Sequence, residues 1–268
     1  MSNRVWAIAG VVVALLAAVV DRADAQLIAP PTPPPYSLSP FAGMEILATP
    51  YLWFPWSSVS IRPSDTRFAS KSTTIDPGEL YSHLTWAPFM SEAEFRHRPY
   101  GLIIDYIHAP LKSGVSTRNV LFNGATGGLT IDSGTALFTY RLFEQPDQYF
   151  DVGAGVRAWG LAGSINLNEG LLPGLNVANG LSWGDPLMSA RYHRELGNGL
   201  SVTGYGDVGG FGVGAHFDWQ LVATVDYAAT PSIDLHGGFR SLNFSYGAPQ
   251  ANIKFNMNGP IISATIHF

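Results

Sequence analysis

The sequence predicts an all-β protein, an antiparallel transmembrane barrel of about ten strands, from three observations. The chain ends in an alternating apolar and polar segment that stops on an aromatic residue, Phe268. Its first residues have the pattern of an export signal. It is rich in apolar residues, yet after that signal it has no apolar run approaching the length of about 18 residues that a membrane helix needs. Together these favour strands as the membrane-crossing elements.

The C-terminal segment divides into two faces. Ile262, Ala264, Ile266 and Phe268 share one face, while Ser263, Thr265 and His267 share the other. A period of two is typical of a strand that lies between an apolar and a polar environment. An edge strand of a soluble sandwich would look similar, so this segment needs support from the rest of the chain.

The N-terminal residues supply that support. A positively charged start at Met1–Arg4 precedes the apolar run Val5–Val20 and the small-x-small pattern Ala23-Asp24-Ala25. This pattern predicts a secretory signal peptide over residues 1–25 and a mature chain that begins at Gln26. Residues 26–43 are rich in proline and predict a stiff periplasmic spacer rather than a polyproline ligand. The barrel is expected over residues 44–268.

Composition excludes several classes of function. The chain is 46% hydrophobic and only 13% charged, which suits a barrel whose lipid face takes alternate apolar residues. It contains no cysteine, so disulfides, thiolate metal sites, a cysteine nucleophile and lipoprotein acylation are excluded. The balance of 15 basic against 20 acidic residues argues against nucleic acid as a partner.

Short and long connections alternate along the chain, as expected of a barrel with short periplasmic turns and longer external loops. The predicted strands lie near 45–54, 86–96, 99–109, 128–142, 149–161, 180–194, 199–210, 217–228, 232–244 and 252–268. The predicted long connections are 55–85, 110–127, 162–179, 211–216 and 245–251. An extra hairpin within 59–75 or a merged segment would change the count, so eight to twelve strands are compatible with the pattern. The last strand is expected to close the barrel against the first.

Aromatic residues favour a barrel over a soluble sandwich, because two aromatic bands are expected at the membrane interfaces. The outer band is predicted to contain Trp53, Trp56, Trp86, Trp159, Trp183 and Trp219. The inner band is predicted to contain Tyr100, Tyr140, Phe143, Tyr149, Tyr192, Tyr227 and Phe268.

One motif carries a family resemblance. The run Gly206-Asp207-Val208-Gly209-Gly210-Phe211-Gly212-Val213-Gly214, followed by Trp219-Gln220, resembles a family of mostly uncharacterised proteobacterial outer-membrane β-barrel proteins. The resemblance covers roughly residues 44–268 and departs from the family at Phe239 and Ser263. It implies location in the outer membrane of a Gram-negative bacterium, with outer-membrane lipid and lipopolysaccharide as surroundings. It also implies that Phe268 is an assembly signal read by the barrel-insertion machinery. The family offers no established activity to carry over.

Charged residues at inward-facing positions are the main chemical feature. The predicted lumen charge network consists of Glu45, Glu92, Glu94, Arg96, Asp105, Arg141, Asp151, Arg157, Asp185, Arg191, Asp207, Asp226, Asp234 and Arg240. In a narrow barrel unpaired charge is costly, so acids and arginines are expected to pair. Arginine suits this role because its planar fork can bridge two carboxylates. A closed lumen with a structural or envelope role is favoured, and a narrow porin-like channel for small polar solutes is the alternative.

A membrane-surface hydrolase is the third hypothesis. His216 lies beside Asp218, but a solvated loop histidine is the favoured interpretation, and no catalytic, cofactor or metal site is predicted. The glycine cluster at 206–214 is interpreted as a structural turn, because no helix follows it as a phosphate loop requires. The connection 55–85 is the longest and is the favoured place for an external binding surface. The sequence makes no prediction of an oligomeric state.

Deletion of Phe268 is expected to impair membrane insertion more than secretion, because the assembly signal would be lost after export. Fractionation of cells with an immunoblot for the mature chain measures both. Unchanged outer-membrane levels of the truncated protein would contradict this role for Phe268.

Overall fold

Antiparallel strands make up most of the described chain. The computed structural model describes residues 43–63, 70–84, 88–115, 122–169, 173–248 and 251–268. The predicted signal peptide, the spacer up to residue 42 and Trp86 lie outside the described residues. The strands are β1 (Glu45–Trp53), β2 (Trp56–Pro63), β3 (Lys71–Ile75), β4 (Phe89–His97), β5 (Tyr100–Val115), β6 (Phe122–Gln145), β7 (Gln148–Glu169), β8 (Leu175–Gly197), β9 (Leu200–Gly209), β10 (Phe217–Thr230), β11 (Ile233–Ala248) and β12 (Ala251–His267).

Ten of these strands form a closed ring. Neighbours run in the order β1, then β4 to β12, and β12 returns to pair with β1 in antiparallel register from Leu47 opposite His267 to Trp53 opposite Ile261. The predicted closure of the last strand against the first is therefore confirmed, and so is the count of about ten. The extra hairpin that the sequence leaves open within 59–75 is present as β2–β3, and it pairs with the outer part of β12.

One short helix, α1 (Pro77–Ser82), follows the β2–β3 hairpin. Asp76 caps it by accepting a hydrogen bond from the Glu79 amide at 2.8 Å, and Pro77 occupies the first turn, where no amide donor is needed. The Tyr81 hydroxyl donates to the Trp53 carbonyl at 2.6 Å, and burial raises the pKa of Tyr81. In the ranges that the structure describes, no helix is long and apolar enough to cross a membrane.

The outer face of the ring is an apolar band. Along β10, Leu221 and Val225 are 57% and 56% exposed, whereas Gln220 and Asp226 on the inward face are buried. This is the alternation predicted from the sequence, with apolar side chains toward lipid. Other apolar residues of the band are Leu102, Ile104, Phe138, Val156, Met188, Val208, Leu235, Phe239 and Ile262.

The polarity of the two faces inverts at the outer end of the barrel. On β12, Ser263 and Thr265 line the interior. Farther out on the same strand, Phe255 and Met257 are buried inside while Lys254 is exposed. The alternation of the backbone is unchanged, so the inversion reflects a change of surroundings from lipid to water. We infer that the outer boundary of the membrane crosses β12 near Pro260, where the exposed side chains change from apolar to polar.

Three of the predicted external loops are mostly strand. Of the connection 245–251, residues 245–248 belong to β11 and Ala251 belongs to β12. Residues 110–127 and 162–179 belong largely to β5, β6, β7 and β8, whose ladders continue to Val115 opposite Ala125 and to Leu167 opposite Leu175. The prediction of loops was wrong here because glycine and asparagine lower strand propensity, while a neighbouring strand still satisfies the backbone. We call the part of β5–β8 beyond the membrane boundary, residues 108–115, 122–132, 160–169 and 175–184, the extracellular sheet.

The predicted aromatic bands need correction. Trp53 and Trp159 are each 2% exposed inside the barrel, and Trp183 packs against the same interior cluster. Tyr149 also faces inward, where the Arg141 guanidinium lies 3.8 Å from its ring centroid. A position at the end of a strand does not tell whether the side chain faces lipid or the interior. The face follows from the alternation of side chains along the strand.

Gly155 is required where β7 passes β6, because a Cβ there would overlap the carbonyl oxygen of Ala136. Gly155→Ala is expected to destabilise the barrel by about 1–3 kcal/mol, the usual cost of overpacking. Gly184→Ala is the matched control, since no heavy atom lies within 4 Å of its Cβ position. The temperature at which each variant loses its folded gel mobility measures the effect. Equal temperatures for the two variants would show that the β6–β7 contact is not tight.

Candidate functional site

A polar cavity of about 440 Å³ occupies the periplasmic half of the barrel. Its lining starts at rim residues Glu45, Arg98 and Glu195, whose side chains are 41%, 57% and 53% exposed. It reaches inward to Tyr51 and Arg240. Most of the sequence-predicted charges surround this cavity or lie just beyond it, in three layers.

The lower network joins β4, β6, β7 and β8. Asp151 accepts hydrogen bonds from Arg96 at 2.9 Å, from Arg141 at 2.8 Å and from Arg191 at 2.8 Å. Glu94 accepts from Arg96 at 2.6 Å and from both terminal nitrogens of Arg191 at 2.7 and 2.9 Å. Two buried carboxylates therefore hold three guanidinium groups in one connected network, as the planar fork of arginine allows.

The middle network spans the barrel from β1 and β5 to β10 and β11. Arg240 donates to Asp105 at 2.9 Å, to the Tyr51 hydroxyl at 2.8 Å and to the Gln220 side-chain oxygen at 2.7 Å. The Tyr51 hydroxyl in turn donates to Asp105 at 2.5 Å. Glu92 lines the cavity on the same side and lies opposite Asp105 in the β4–β5 ladder.

The upper network is the most buried. Arg157 forms a two-pronged contact with Asp207, at 3.1 and 2.7 Å, and a further hydrogen bond to Asp218 at 2.7 Å. The Trp159 indole donates to the second oxygen of Asp218 at 3.2 Å, and the Tyr205 hydroxyl donates to Asp207 at 2.7 Å. Arg157 is only 1% exposed, so its charge depends on these two carboxylates for compensation.

An apolar layer closes the interior above the upper network. It contains Trp53, Trp159, Leu242, Phe244 and Phe255, all buried. The ring centroids of Trp159 and Phe244 are 4.6 Å apart, and those of Phe244 and Phe255 are 5.4 Å apart. Aromatic rings at these separations are in direct contact. The polar cavity therefore ends beneath a packed apolar layer.

Asp185 has a separate role at the outer end. Its carboxylate accepts from the Trp183 indole at 2.9 Å and from the Ala215 amide at 2.5 Å. It thereby fixes the loop after β9 that contains the glycine motif. Gly214 lies so close to Trp183 and Gly184 that a Cβ would meet the Gly184 carbonyl oxygen at 2.5 Å. Gly214 therefore serves close packing in this loop, whereas Gly212 has open space around its Cβ position and a positive φ of 77°.

The remaining predicted charges lie toward the periplasmic rim. Asp226 pairs with His236 at 2.7 Å, and Asp234 pairs with His267 at 2.8 Å. Glu45 is 3.8 Å from Arg98. Glu45 and Asp234 are the most water-exposed members of the predicted set, so their pairing contributes little to stability.

Sequence reasoning missed Asp218, which is fully buried at the centre of the upper network. Asp218 lies two residues before Gln220 on β10 and therefore shares its inward face, and this spacing could have revealed it. Sequence reasoning also missed Tyr51 and Tyr205. The sequence does not show that their hydroxyl groups have hydrogen-bond partners, so these residues were not counted with the polar network. Both oxygens of Asp218 are held by Arg157 and Trp159. His216, the other half of the suggested dyad, instead has its ring beside Gly247.

In the described ranges, no three acidic or histidine side chains are grouped closely enough to hold a metal ion.

Replacement of Arg157 by Met is expected to destabilise the barrel by about 3–5 kcal/mol, because Asp207 and Asp218 would remain buried without their cation. Arg98→Met is the matched control, since this guanidinium is largely in water and its pairs should contribute little. Urea unfolding of the refolded proteins in detergent, followed by tryptophan fluorescence, measures the difference. Equal stability of the two variants would show that the upper network is not a structural element.

No family model matches this chain, and no curated protein matches it. Comparison with solved structures does give a match. The outer membrane protease OmpT from Escherichia coli superimposes with a TM-score of 0.51 at 8% sequence identity, covering 84% of this chain and 97% of that one. Ail, the attachment invasion locus protein of Yersinia pestis, gives a TM-score of 0.37 at 10% identity, covering 84% and 99%. The likeness to OmpT establishes the fold alone: together with the closed ten-stranded ring, it shows that this chain has the fold of an outer-membrane β-barrel.

Proposed function

We propose that this protein is a closed, non-catalytic barrel with a structural role in the outer-membrane envelope. One observation carries the proposal: the lumen is crossed by ion pairs between strands on different sides of the ring. Glu94 on β4 binds Arg191 on β8, and Asp151 on β7 binds Arg96 on β4. Arg157 on β7 binds Asp218 on β10. Such pairs brace the barrel wall from within.

The apolar layer supports a non-conducting lumen. An ion that enters the polar cavity from the periplasm would have to lose its hydration shell to pass Trp159 and Phe244, which are both nearly inaccessible. A hydrophobic constriction of this kind blocks conduction by excluding water. Leu242 is fully buried in the same layer.

The side-chain chemistry supports the absence of catalysis. A hydrolase needs a nucleophile next to a base that a third group orients. The buried carboxylates Asp151, Asp207 and Asp218 are each held by arginine. The inward histidine His236 is held between Asp226 and Thr265, at 2.7 and 2.8 Å. Each of these groups is held by hydrogen bonds or ion pairs to neighbouring side chains and is not placed to act as a base on a nucleophile.

A narrow channel for small polar solutes is the second candidate, and the periplasmic cavity is the observation in its favour. In that case the apolar layer would be a gate that has to open. The two proposals therefore differ in the behaviour of one layer of side chains.

Single-channel recording separates them. The refolded mature chain, residues 26–268, is expected to give no current steps in a planar bilayer. The double variant Trp159→Ala, Phe244→Ala is expected to give steps, because removal of two rings leaves a water-sized path through the layer. Phe239→Ala, which removes a lipid-facing ring that is 48% exposed, is the matched control and should stay silent.

Ion-selective steps from the unmodified protein would overturn the closed-barrel proposal and favour the channel. Heat-modifiable gel migration confirms that each variant is folded before it is recorded.

A further inference from the structure

The outer part of β8 has a neighbouring strand on one side only. β7 pairs with β8 out to Leu167 opposite Leu175. On the other side, pairing with β9 begins only at Leu187 opposite Gly209. The edge of β8 over residues 175–183 is therefore free of any other described strand. We call these residues the β8 edge.

The direction of the free backbone groups follows from two hydrogen bonds. The Gly180 amide donates to the Asn179 side-chain oxygen at 2.8 Å and so points away from β7. The Pro186 carbonyl, an even number of residues farther on, accepts from Gly210 on the β9 side. Because alternate residues of an antiparallel strand face opposite neighbours, the amide and carbonyl groups of Asn176, Ala178 and Ser182 face outward from the edge. They form a regular row that matches the spacing of another strand.

The β8 edge lacks the features with which proteins usually protect such edges. Lysine, other charges, proline and bulges normally prevent unwanted strand pairing. The β8 edge reads Leu-Asn-Val-Ala-Asn-Gly-Leu-Ser-Trp and contains neither a charged residue nor a proline. Its only local protection is the contact between Asn179 and the Gly180 amide.

Apolar side chains flank the edge. Leu175 and Val177 are each 52% exposed, and Val177 lines an open groove of about 580 Å³ between the extracellular sheet and Leu80 of α1. At the base of the edge, Phe211 and Val213 of the glycine-motif loop are 55% and 75% exposed. Exposed apolar groups beside an open edge are typical of surfaces that a partner covers.

We propose that the β8 edge is a docking site for an extended segment of another polypeptide, which adds to the extracellular sheet as an antiparallel strand. The free backbone groups would provide the hydrogen bonds, and the groove beside Val177 would receive alternate side chains. The absence of charge on the edge selects a segment that is uncharged, with alternating apolar and small polar residues.

A second copy of this chain is a poorer fit. Two barrels in one membrane have the same orientation, so their β8 strands run in the same direction and would have to pair in parallel. Parallel pairs are slightly less stable per residue than antiparallel pairs. A segment outside the membrane is free to approach in the antiparallel direction.

Binding of a synthetic peptide tests the proposal. The probe is a fluorescent, capped peptide of alternating threonine and valine with one terminal lysine, added to the refolded mature protein in detergent. Fluorescence anisotropy is expected to show saturable binding. The same peptide with N-methylated valines is expected not to bind, because it lacks the amide donors of a strand. Hydrogen exchange at Asn176, Ala178 and Ser182 should slow when the first peptide is bound.

Variants locate the site. Ala178→Pro removes an outward-facing amide without breaking the ladder to β7, and it is expected to weaken peptide binding about tenfold or more, the effect of one lost backbone hydrogen bond with its desolvated partner. Ala178→Ser keeps the amide and is the matched control, with affinity unchanged within about twofold. Val177→Lys introduces a protecting charge on the groove side and should weaken binding even if the proline variant fails to fold.

Three results would overturn the proposal. The first is equal binding of the methylated and unmethylated peptides. The second is equal affinity of the wild-type protein and the Val177→Lys variant. The third is dimerisation of the wild-type protein in sedimentation experiments, abolished by Val177→Lys, with no peptide bound. That last result would assign the β8 edge to self-association.

Discussion

Compensation of buried charge is the constraint on which this barrel depends. Asp151 alone holds three arginines from three other strands, and Arg157 is enclosed by Asp207 and Asp218. Removing one partner would leave a charge in a site that water does not reach, which costs more than the pair contributes. The networks therefore act as units. They join strands that are not neighbours in the ring, such as β4 with β8 and β7 with β10.

The interior is stratified because the surroundings change along the barrel axis. Within the membrane the outer face must be apolar, so the polar residues of each strand turn inward and need partners. Beyond the boundary near Pro260 the outer face meets water, and the interior is free to be apolar. Phe255 and Leu242 take that role. The same alternating backbone thus builds a charged core below and an apolar layer above.

The extracellular sheet follows from a mismatch in strand length. β6, β7 and β8 have 24, 22 and 23 residues, whereas β9 has 10, so β8 continues outward after its partner ends. Within the membrane such an edge would be prohibitive, since lipid offers no hydrogen bonds. Outside the membrane water satisfies it. Among the described residues, the unpaired edge of β8 therefore lies above the boundary, where the surroundings are aqueous.

The sequence by itself determined the fold class, the ten strands of the ring, the closure by the last strand and the inward positions of most charges, because a period of two records which face meets lipid. Only the tertiary structure decided that Trp159 and Trp183 seal the interior, that Asp218 completes the upper network and that residues 162–179 are mostly strand. These depend on strand register and strand length, which follow from contacts between residues far apart in the chain. The local sequence pattern does not determine the register or the length of the strands.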